Sequence, residues 1–291
     1  MPELQLTVIV PCFNERAGIE SSVETLARDL APIQDFEILL VDDGSTDGSS
    51  EIIEALAQRM PGLRVVRHAR NRGYGAALKT GIRRARGEWI AITDADDTYP
   101  SERLPELIEL ARECDMVVGA RTEEGAEHPT LRRIPKWFLR RYASWIVGEA
   151  IPDLNSGMRV FRKSIAERFF RILPDTFSFT STITIAMMRN RFDVRFVPIA
   201  YNARSGHSKI KPLRDTLRFT MLVVRTGMYF APLRVLMPIA SVLMLLFLAS
   251  AAYDVFVRQN LADTSVLLLL FALNTMLFAL LADMIDKRGY V

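Results

Sequence analysis

Cysteine and histidine are scarce in this 291-residue chain, with two of the first and three of the second. Cys12 and Cys114 stand far apart with no Cys-x-x-Cys pair, and His68, His128 and His207 show no ligand spacing. The sequence therefore argues against a zinc site and fits a reducing compartment. A strong excess of one charge is also missing: 37 Lys and Arg face 34 Asp and Glu for a net charge of +3, which argues against nucleic acid as a partner. No internal repeat or low-complexity tract is visible. The N-terminus lacks the marks of a signal peptide, because residues 4–10 are too short and no basic stretch precedes them.

Charge itself is absent from two long runs, 235–253 and 264–282, each 19 residues long. At about 1.5 Å per residue such a helix roughly matches a ~30 Å hydrocarbon core. The ten residues Asp254–Asp263 between them make the pair a membrane hairpin. Pro238 falls in the first turn, where proline is tolerated. Asn274 lies mid-span, to be packed on the other helix or on a neighbouring subunit, which allows a homo-oligomer. Arg204, Lys209, Lys211, Arg214, Arg218, Arg225 and Arg234 precede the first run, against Asp215 alone. The positive-inside rule then puts both ends, and the larger N-terminal part, in the cytoplasm. Residues 211–229 are basic and amphipathic, as expected of a segment at a membrane surface. Its arginines suit phospholipid headgroups as well as any substrate. The expected division is 1–203 for a folded domain, 204–233 for a juxtamembrane segment and 234–291 for the hairpin.

From residue 4 to about 120, short apolar runs alternate with amphipathic helical patterns. Strands are expected at 6–10, 36–41, 63–66, 89–93 and 116–118, and helices at 19–30, 49–60, 76–85 and 100–112. Such alternation implies a largely parallel sheet covered by helices. Residues 132–201 read as mixed α and β.

Three of these strands end in acidic clusters. The first runs into Pro11-Cys12-Phe13-Asn14-Glu15, the second into Asp42-Asp43-Gly44-Ser45-Thr46-Asp47, and the fourth into Asp94-Ala95-Asp96. In an open α/β sheet, ligands bind at the carboxyl ends of strands. Asp94 and Asp96 offer two hard oxygen ligands one residue apart, suited to Mg²⁺ or Mn²⁺ with substrate phosphates completing the shell. An aromatic ring and carboxylates on the neighbouring strand ends can stack on a nucleobase and accept from its N–H groups or from ribose. Turn formation and helix capping by Ser45, Thr46 or Asp47 account for part of the second cluster. They do not account for three acidic strand ends in a row, which repel unless a cation or a donor-rich ligand sits among them. Asn71-Arg72-Gly73-Tyr74-Gly75 lacks P-loop spacing. It could present backbone N–H groups to an anion or be a plain glycine turn.

Together the motifs at 11–15, 42–48 and 94–96 resemble those of family 2 inverting glycosyltransferases with the GT-A fold. Gly119-Ala120-Arg121, Leu131-Arg132-Arg133, Asp153-Leu154-Asn155-Ser156-Gly157-Met158-Arg159 and Arg204-Ser205-Gly206-His207-Ser208-Lys209 narrow the likeness to polyprenyl-phosphate sugar synthases. The resemblance is to dolichyl-phosphate mannose synthase and to bacterial polyprenyl-phosphate glucosyltransferases with a C-terminal membrane hairpin. It runs from residue 6 to about 211, and the hairpin extends it. It implies that Pro11, Phe13, Glu15, Val41 and Asp43 line a nucleoside pocket. Asp94 and Asp96 would hold the metal, with the Ala95 backbone against a diphosphate and Asp96 counted among the catalytic residues. Arg121 and Arg133 would meet the acceptor phosphate, and Arg204 and Lys209 would close over the donor diphosphate. Two departures stand out. Arg204–Lys209 is one residue shorter than in the mannose synthase, and Thr182 stands where mannose synthases carry glutamate.

These residue types suit one reaction. A lipid phosphate is already an anion, so its attack on a sugar needs no strong base. The obstacle is repulsion between two anionic substrates, which arginines and a divalent metal offset. The expected function is inverting transfer of a hexose-type sugar from a nucleoside-diphosphate sugar to a polyprenyl phosphate at the cytoplasmic membrane face. UDP-sugars are favoured by the hairpin resemblance, with GDP-mannose open. Two rivals are a family 2 transferase with a glycan acceptor and a silent, membrane-tethered nucleotide-sugar binder. The absence of a Gln-x-x-Arg-Trp motif speaks against a processive polysaccharide synthase. Retention of Asp94, Asp96, Arg121 and Lys209 speaks against a silent binder.

Overall fold

The computed structural model describes residues 6–122, 133–201 and 224–288. They form two compact units. One takes the described residues up to Arg141 and from Glu149 to Tyr201, the other Tyr142–Gly148 and those from 224 onward.

In the first unit the expected alternation is present: β1 (Leu6–Cys12), α1 (Ile19–Asp29), β2 (Phe36–Asp42), α2 (Ser49–Arg59), β3 (Leu63–Arg67), α3 (Tyr74–Arg84), β4 (Trp89–Ile92), α4 (Leu104–Ala111) and β5 (Met116–Ala120). Then follow α5 (Arg133–Val147), which from Tyr142 on belongs to the second unit, β6 (Arg159–Arg162), α6 (Lys163–Arg168), α7 (Phe179–Arg189) and β7 (Val194–Pro198). The central strands read as continuous apolar runs because both faces are covered: Val8, Ile9, Leu39, Leu40, Ile90 and Ala91 are all fully buried. The helices show the complementary pattern, as in α1, where Ile19, Ser22, Val23 and Leu26 form the buried stripe.

The seven strands lie in the order β3-β2-β1-β4-β6-β5-β7. Pairing is parallel between β1 and β2, β1 and β4, β2 and β3, and β5 and β7. Strand β6 is antiparallel to both β4 and β5, so the largely parallel sheet carries one reversed strand that periodicity did not reveal. The chain builds outward from β1 through β2 to β3, then returns to place β4 on the other side of β1. That reversal opens a crevice at the carboxyl ends of β1 and β4, the place where such sheets bind ligands.

In the second unit, α8 (224–230) precedes α9 (Pro232–Tyr253) and α10 (Asp263–Arg288). Both long helices are long and apolar enough to cross a membrane, and they turn large side chains outward, with Leu245 65% and Phe278 64% exposed. Small buried residues, Ala240, Ala272 and Ala279, let the two helices approach. Asn274 lies on the exposed side of α10 and does not face α9. The ten-residue connection expected from the sequence is shorter in the structure. A π-helical turn, Asp254–Arg258, extends α9 and leaves only residues 259–262 between the helices. The reason is a polar lock: the buried Asp254 carboxylate accepts from the Ala262 N–H at 3.0 Å and from the Ser265 hydroxyl at 2.6 Å. The Ser250 and Ser265 hydroxyls are 2.7 Å apart, and because Ser265 donates to Asp254, Ser250 donates to Ser265.

Candidate active site

The three acidic strand ends meet on one edge of the sheet. Pro11 of β1 is in register with Val41 of β2, and Cys12 with Asp42. Thr93 continues β4 by donating its N–H to Ile9 of β1. Phe13 and Glu15 follow β1, half-buried, whereas Val41 is fully buried within β2. The loops after β1 and β2 are clasped to each other: the Asn14 N–H donates to Ser45 Oγ at 3.0 Å, the Thr46 N–H to Asn14 Oδ1 at 2.8 Å, and the Glu15 N–H to Ser49 Oγ at 3.0 Å.

The two adjacent aspartates of β2 divide their work. Asp42 is structural, accepting from the Ser45 N–H at 2.9 Å and the Ser50 hydroxyl at 2.5 Å, which is the turn chemistry its surroundings announce. Asp43 is buried at the edge. It accepts from His68 Nδ1 at 2.6 Å and from the backbone N–H groups of Arg72 and Gly73 at 2.9 and 2.8 Å. The 71–75 loop thus does present backbone N–H groups to an anion, and that anion is Asp43. A carboxylate has about four lone-pair sites, so three such bonds leave room for one more donor. His68 Nε2 lies 2.9 Å from Thr80 Oγ1, so the ring is held on both sides. Cys12 is no nucleophile, since burial, with the charges of Asp42 and Glu15, pushes its thiol up to about 12.

Asp94 and Asp96 are half-buried beyond β4, flanking the buried Ala95. Asp94 accepts from the Tyr74 hydroxyl at 3.0 Å, and Asp96 from the Thr98 hydroxyl at 2.6 Å. Burial and the Asp94 charge raise the Tyr74 phenol well above its usual range, which keeps it a donor. Gly157 explains the space beside Asp94: a Cβ there would lie 2.9 Å from Oδ2 and 3.1 Å from Oδ1. Among the described residues no three His, Cys, Asp or Glu side chains converge on one point. Two hard carboxylates could still hold a divalent cation if phosphate or water oxygens supplied its remaining positions.

Arg121, directly after β5, does not stand alone. Its Nε and Nη2 form a fork on Asp153 at 2.7 and 3.0 Å, its backbone N–H adds a third bond at 3.1 Å, and its guanidinium lies over the Tyr201 ring at 5.1 Å. Burial works against both charges, but the pair's hydrogen bonds and mutual attraction win. Arg121 is held above its ordinary range and Asp153 below. The fork leaves Nη1 for another anion. Arg133 opens α5, its side chain outside the described residues, as are Arg204 and Lys209 altogether.

Four participants were not assigned roles by the sequence: Tyr74, Tyr99, Asp153 and Arg159. Tyr99 accepts the Gly157 N–H at 2.6 Å and so fixes the glycine beside Asp94. Arg159, in register with Ile92 of β4, is fully buried and donates to the Thr180 carbonyl at 3.0 Å, to Thr184 Oγ1 at 3.1 Å and to the Ser156 carbonyl. Burial brings its guanidinium down to about 10, so it stays charged at neutral pH. The only sign of these last two in the sequence was their place at either end of the 153–159 motif.

Residues 7–170 match the family model described as glycosyl transferase family 2, and residues 231–287 match that of the GtrB C-terminal hairpin. The undecaprenyl-phosphate 4-deoxy-4-formamido-L-arabinose transferase of Pseudomonas paraeruginosa is 32% identical over 255 residues, covering 84% of this chain and 72% of that protein. The dodecaprenyl-phosphate galacturonate synthase of Rhizobium johnstonii is 28% identical over 309 residues, covering 99% and 89%. The low-salt glycan biosynthesis hexosyltransferase Agl6 of Haloferax volcanii is 29% identical over 78% of this chain, which spans 55% of its length. Among solved structures, glucosyl-3-phosphoglycerate synthase of Mycobacterium tuberculosis, crystallised with Mn²⁺, UDP and phosphoglyceric acid, superposes with a TM-score of 0.60 at 19% identity, covering 77% and 78% of the two chains. That likeness carries the fold.

Proposed function

Since the chain belongs to glycosyl transferase family 2, we propose that it moves a hexose-type sugar, with inversion, from a nucleoside-diphosphate sugar to a polyprenyl phosphate such as undecaprenyl phosphate. One observation supports this above the rest: Glu15, Asp43 and the Asp94/Asp96 pair sit at the carboxyl ends of adjacent strands, at the sheet's reversal point. The polyprenyl-phosphate relatives and the hairpin match add the acceptor class.

In this reading Pro11, Phe13, Glu15 and Val41 surround the nucleoside, and the remaining lone pair of Asp43 takes one N–H or hydroxyl from it. UDP-sugars are the favoured donors, with GDP-mannose as the alternative. Asp94 and Asp96 would hold Mg²⁺ or Mn²⁺, which supplies positive charge to the diphosphate as it leaves. The Ala95 backbone lies along that diphosphate. Arg121, oriented by Asp153, turns Nη1 to the acceptor phosphate together with Arg133, while Arg204 and Lys209 cover the donor diphosphate. An acceptor phosphate oxygen forms the bond to the anomeric carbon as the carbon–oxygen bond to the β-phosphate breaks. The electron pair departs with the nucleoside diphosphate, so an α-linked donor gives a β-linked lipid phosphate sugar. No proton has to move, and the arginines instead oppose the repulsion between two anions. Residues 1–203 then form the catalytic domain, 204–233 the surface segment and 234–291 the membrane anchor. The basic flank of the first span puts catalysis on the cytoplasmic side. A homo-oligomer would give the exposed Asn274 a partner in a second copy of the chain.

The test is transfer of radiolabelled sugar to undecaprenyl phosphate by the purified chain with Mn²⁺ and a panel of UDP- and GDP-sugars. A chloroform-soluble product that disappears with EDTA and in Asp96→Asn is the expected result. Donor binding without any lipid product would remove the polyprenyl acceptor and bring forward a glycan acceptor or a silent binding role.

A further inference from the structure

Phe177 is 79% exposed, yet both its ring and its backbone carbonyl have partners. Its ring stacks on Tyr74 with centroids 5.2 Å apart and planes at 18°, and the same Tyr74 donates its hydroxyl to Asp94 at 3.0 Å. The backbone leading to Phe177 is pinned from α3: the Ala76 N–H donates to the Asp175 carbonyl at 3.2 Å, and Lys79 Nζ meets the Asp175 carboxylate at 2.7 Å. Only glycine allows this approach, because a Cβ on Gly73 or Gly75 would run into the carbonyl oxygens of Asp175 and Pro174. On the other side the Phe177 carbonyl accepts from the Thr180 hydroxyl at 3.3 Å, at the start of α7. A single exposed phenylalanine is ordinary. One held rigid from both sides, with one face on a tyrosine bonded to Asp94, is a preorganised contact surface.

We propose that the stacked Phe177–Tyr74 pair is the platform against which the donor's sugar ring rests, making Phe177 a determinant of sugar recognition. This rests on the reading of Asp94 and Asp96 as the diphosphate site. A sugar is joined directly to the second phosphate, so a diphosphate at Asp94 puts the hexose one phosphoester away, within reach of the aromatic pair that Asp94 anchors. The chemistry matches: a hexose has a face of C–H groups, and an aromatic face is its electron-rich complement. Covering that ring with sugar also takes apolar surface out of water.

The experiment compares affinities of UDP, GDP and the corresponding sugar nucleotides, and the KM for donor and acceptor, in the full-length wild type, Phe177→Ala and Phe177→Tyr. For Phe177→Ala we expect sugar-nucleotide affinity to fall about tenfold, or about 1.4 kcal/mol. Affinity for the bare nucleoside diphosphate stays within about twofold, which also shows that the pocket is folded, and Phe177→Tyr restores the sugar-nucleotide value. Unchanged sugar-nucleotide affinity and donor KM in Phe177→Ala would overturn the proposal, as would a rise confined to the acceptor KM, which would give the ring to the lipid. If the wild type binds neither nucleoside diphosphate, the diphosphate site itself is misplaced and both readings fall together.

Discussion

The sheet unit and the hairpin unit are built inside out with respect to each other's rules. In the first, apolar side chains such as Val8, Ile9 and Leu40 are fully buried and acidic groups gather at one edge. In the second, Leu245, Phe271 and Phe278 are more than half exposed, and the inward positions go to alanine and serine. The difference is one of solvent: burying hydrocarbon is favourable against water, whereas in lipid it is the polar group that must be hidden. Yet both regions hold a buried aspartate the same way. Asp42 accepts from a backbone N–H and the Ser50 hydroxyl to shape the loop after β2, and Asp254 accepts from a backbone N–H and the Ser265 hydroxyl to shape the hairpin turn. A short carboxylate satisfied by local donors is a device for fixing a turn in either medium. Asp43 differs in reach, since its three donors come from the 68–73 segment after β3 and not from its own turn.

That contrast can be broken by substitution. The largest effect should come from Asp94→Asn, which leaves both units folded but lowers sugar transfer at least about 10³-fold, about 4 kcal/mol of barrier by the usual factor of ten per 1.36 kcal/mol. Steady-state transfer rates beside unchanged thermal unfolding would show it, and near wild-type turnover would remove Asp94 from the site. Next comes Asp153→Ala, which strands Arg121 in a half-buried place. The cost should be about 3 kcal/mol, the lower end for a broken buried pair because both groups keep some exposure. Chemical denaturation would measure it. The sign with pH follows from the depressed Asp153 value: its stabilisation is complete above the unfolded carboxylate range near pH ~4 and is lost as pH falls through the lower folded value. Asp153→Asn should flatten that acid limb, and an unaltered limb would show that the pair adds nothing.

In the hairpin, Asp254→Ala should cost about 2 kcal/mol by leaving the Ser265 hydroxyl and Ala262 N–H without their acceptor. Unfolding of the full chain in detergent would register the loss while nucleoside diphosphate affinity stays put. A change in both would mean that the two regions are not energetically separate. The smallest effect is expected from Gly157→Ala, whose methyl crowds Asp94. Apparent Mn²⁺ affinity should drop about tenfold in titrations with nucleoside diphosphate, in the range typical of groups that support a metal ligand.

The succession of strands and helices could be anticipated as far as β5, since each strand was marked by an apolar run and each helix by its stripe, but their order in the sheet could not. The reversed β6 could not, because Arg159–Arg162 is four residues long and a strand's direction leaves no trace in its own composition. Reading Asp254–Asp263 as an open connection failed for a related reason: the lock depends on Ser250 and Ser265, one on each helix. Asp94 and Asp96 could be picked out because their spacing is itself the chemistry. Arg121 was picked out as well, but its partner Asp153 was seen only as part of a motif.

What the sequence determined by itself is what depends on local pattern. The β–α alternation, the two uncharged runs, the acidic strand ends and the family motifs all follow from periodicity and composition within a few residues. The tertiary structure decided which of those groups are occupied with each other. Asp43 meets His68 across 25 positions, Arg121 meets Asp153 across 32, and Tyr74 meets Asp94 across 20. Contacts of that reach arise only once the crossovers have closed and packed, and no period in the chain records them.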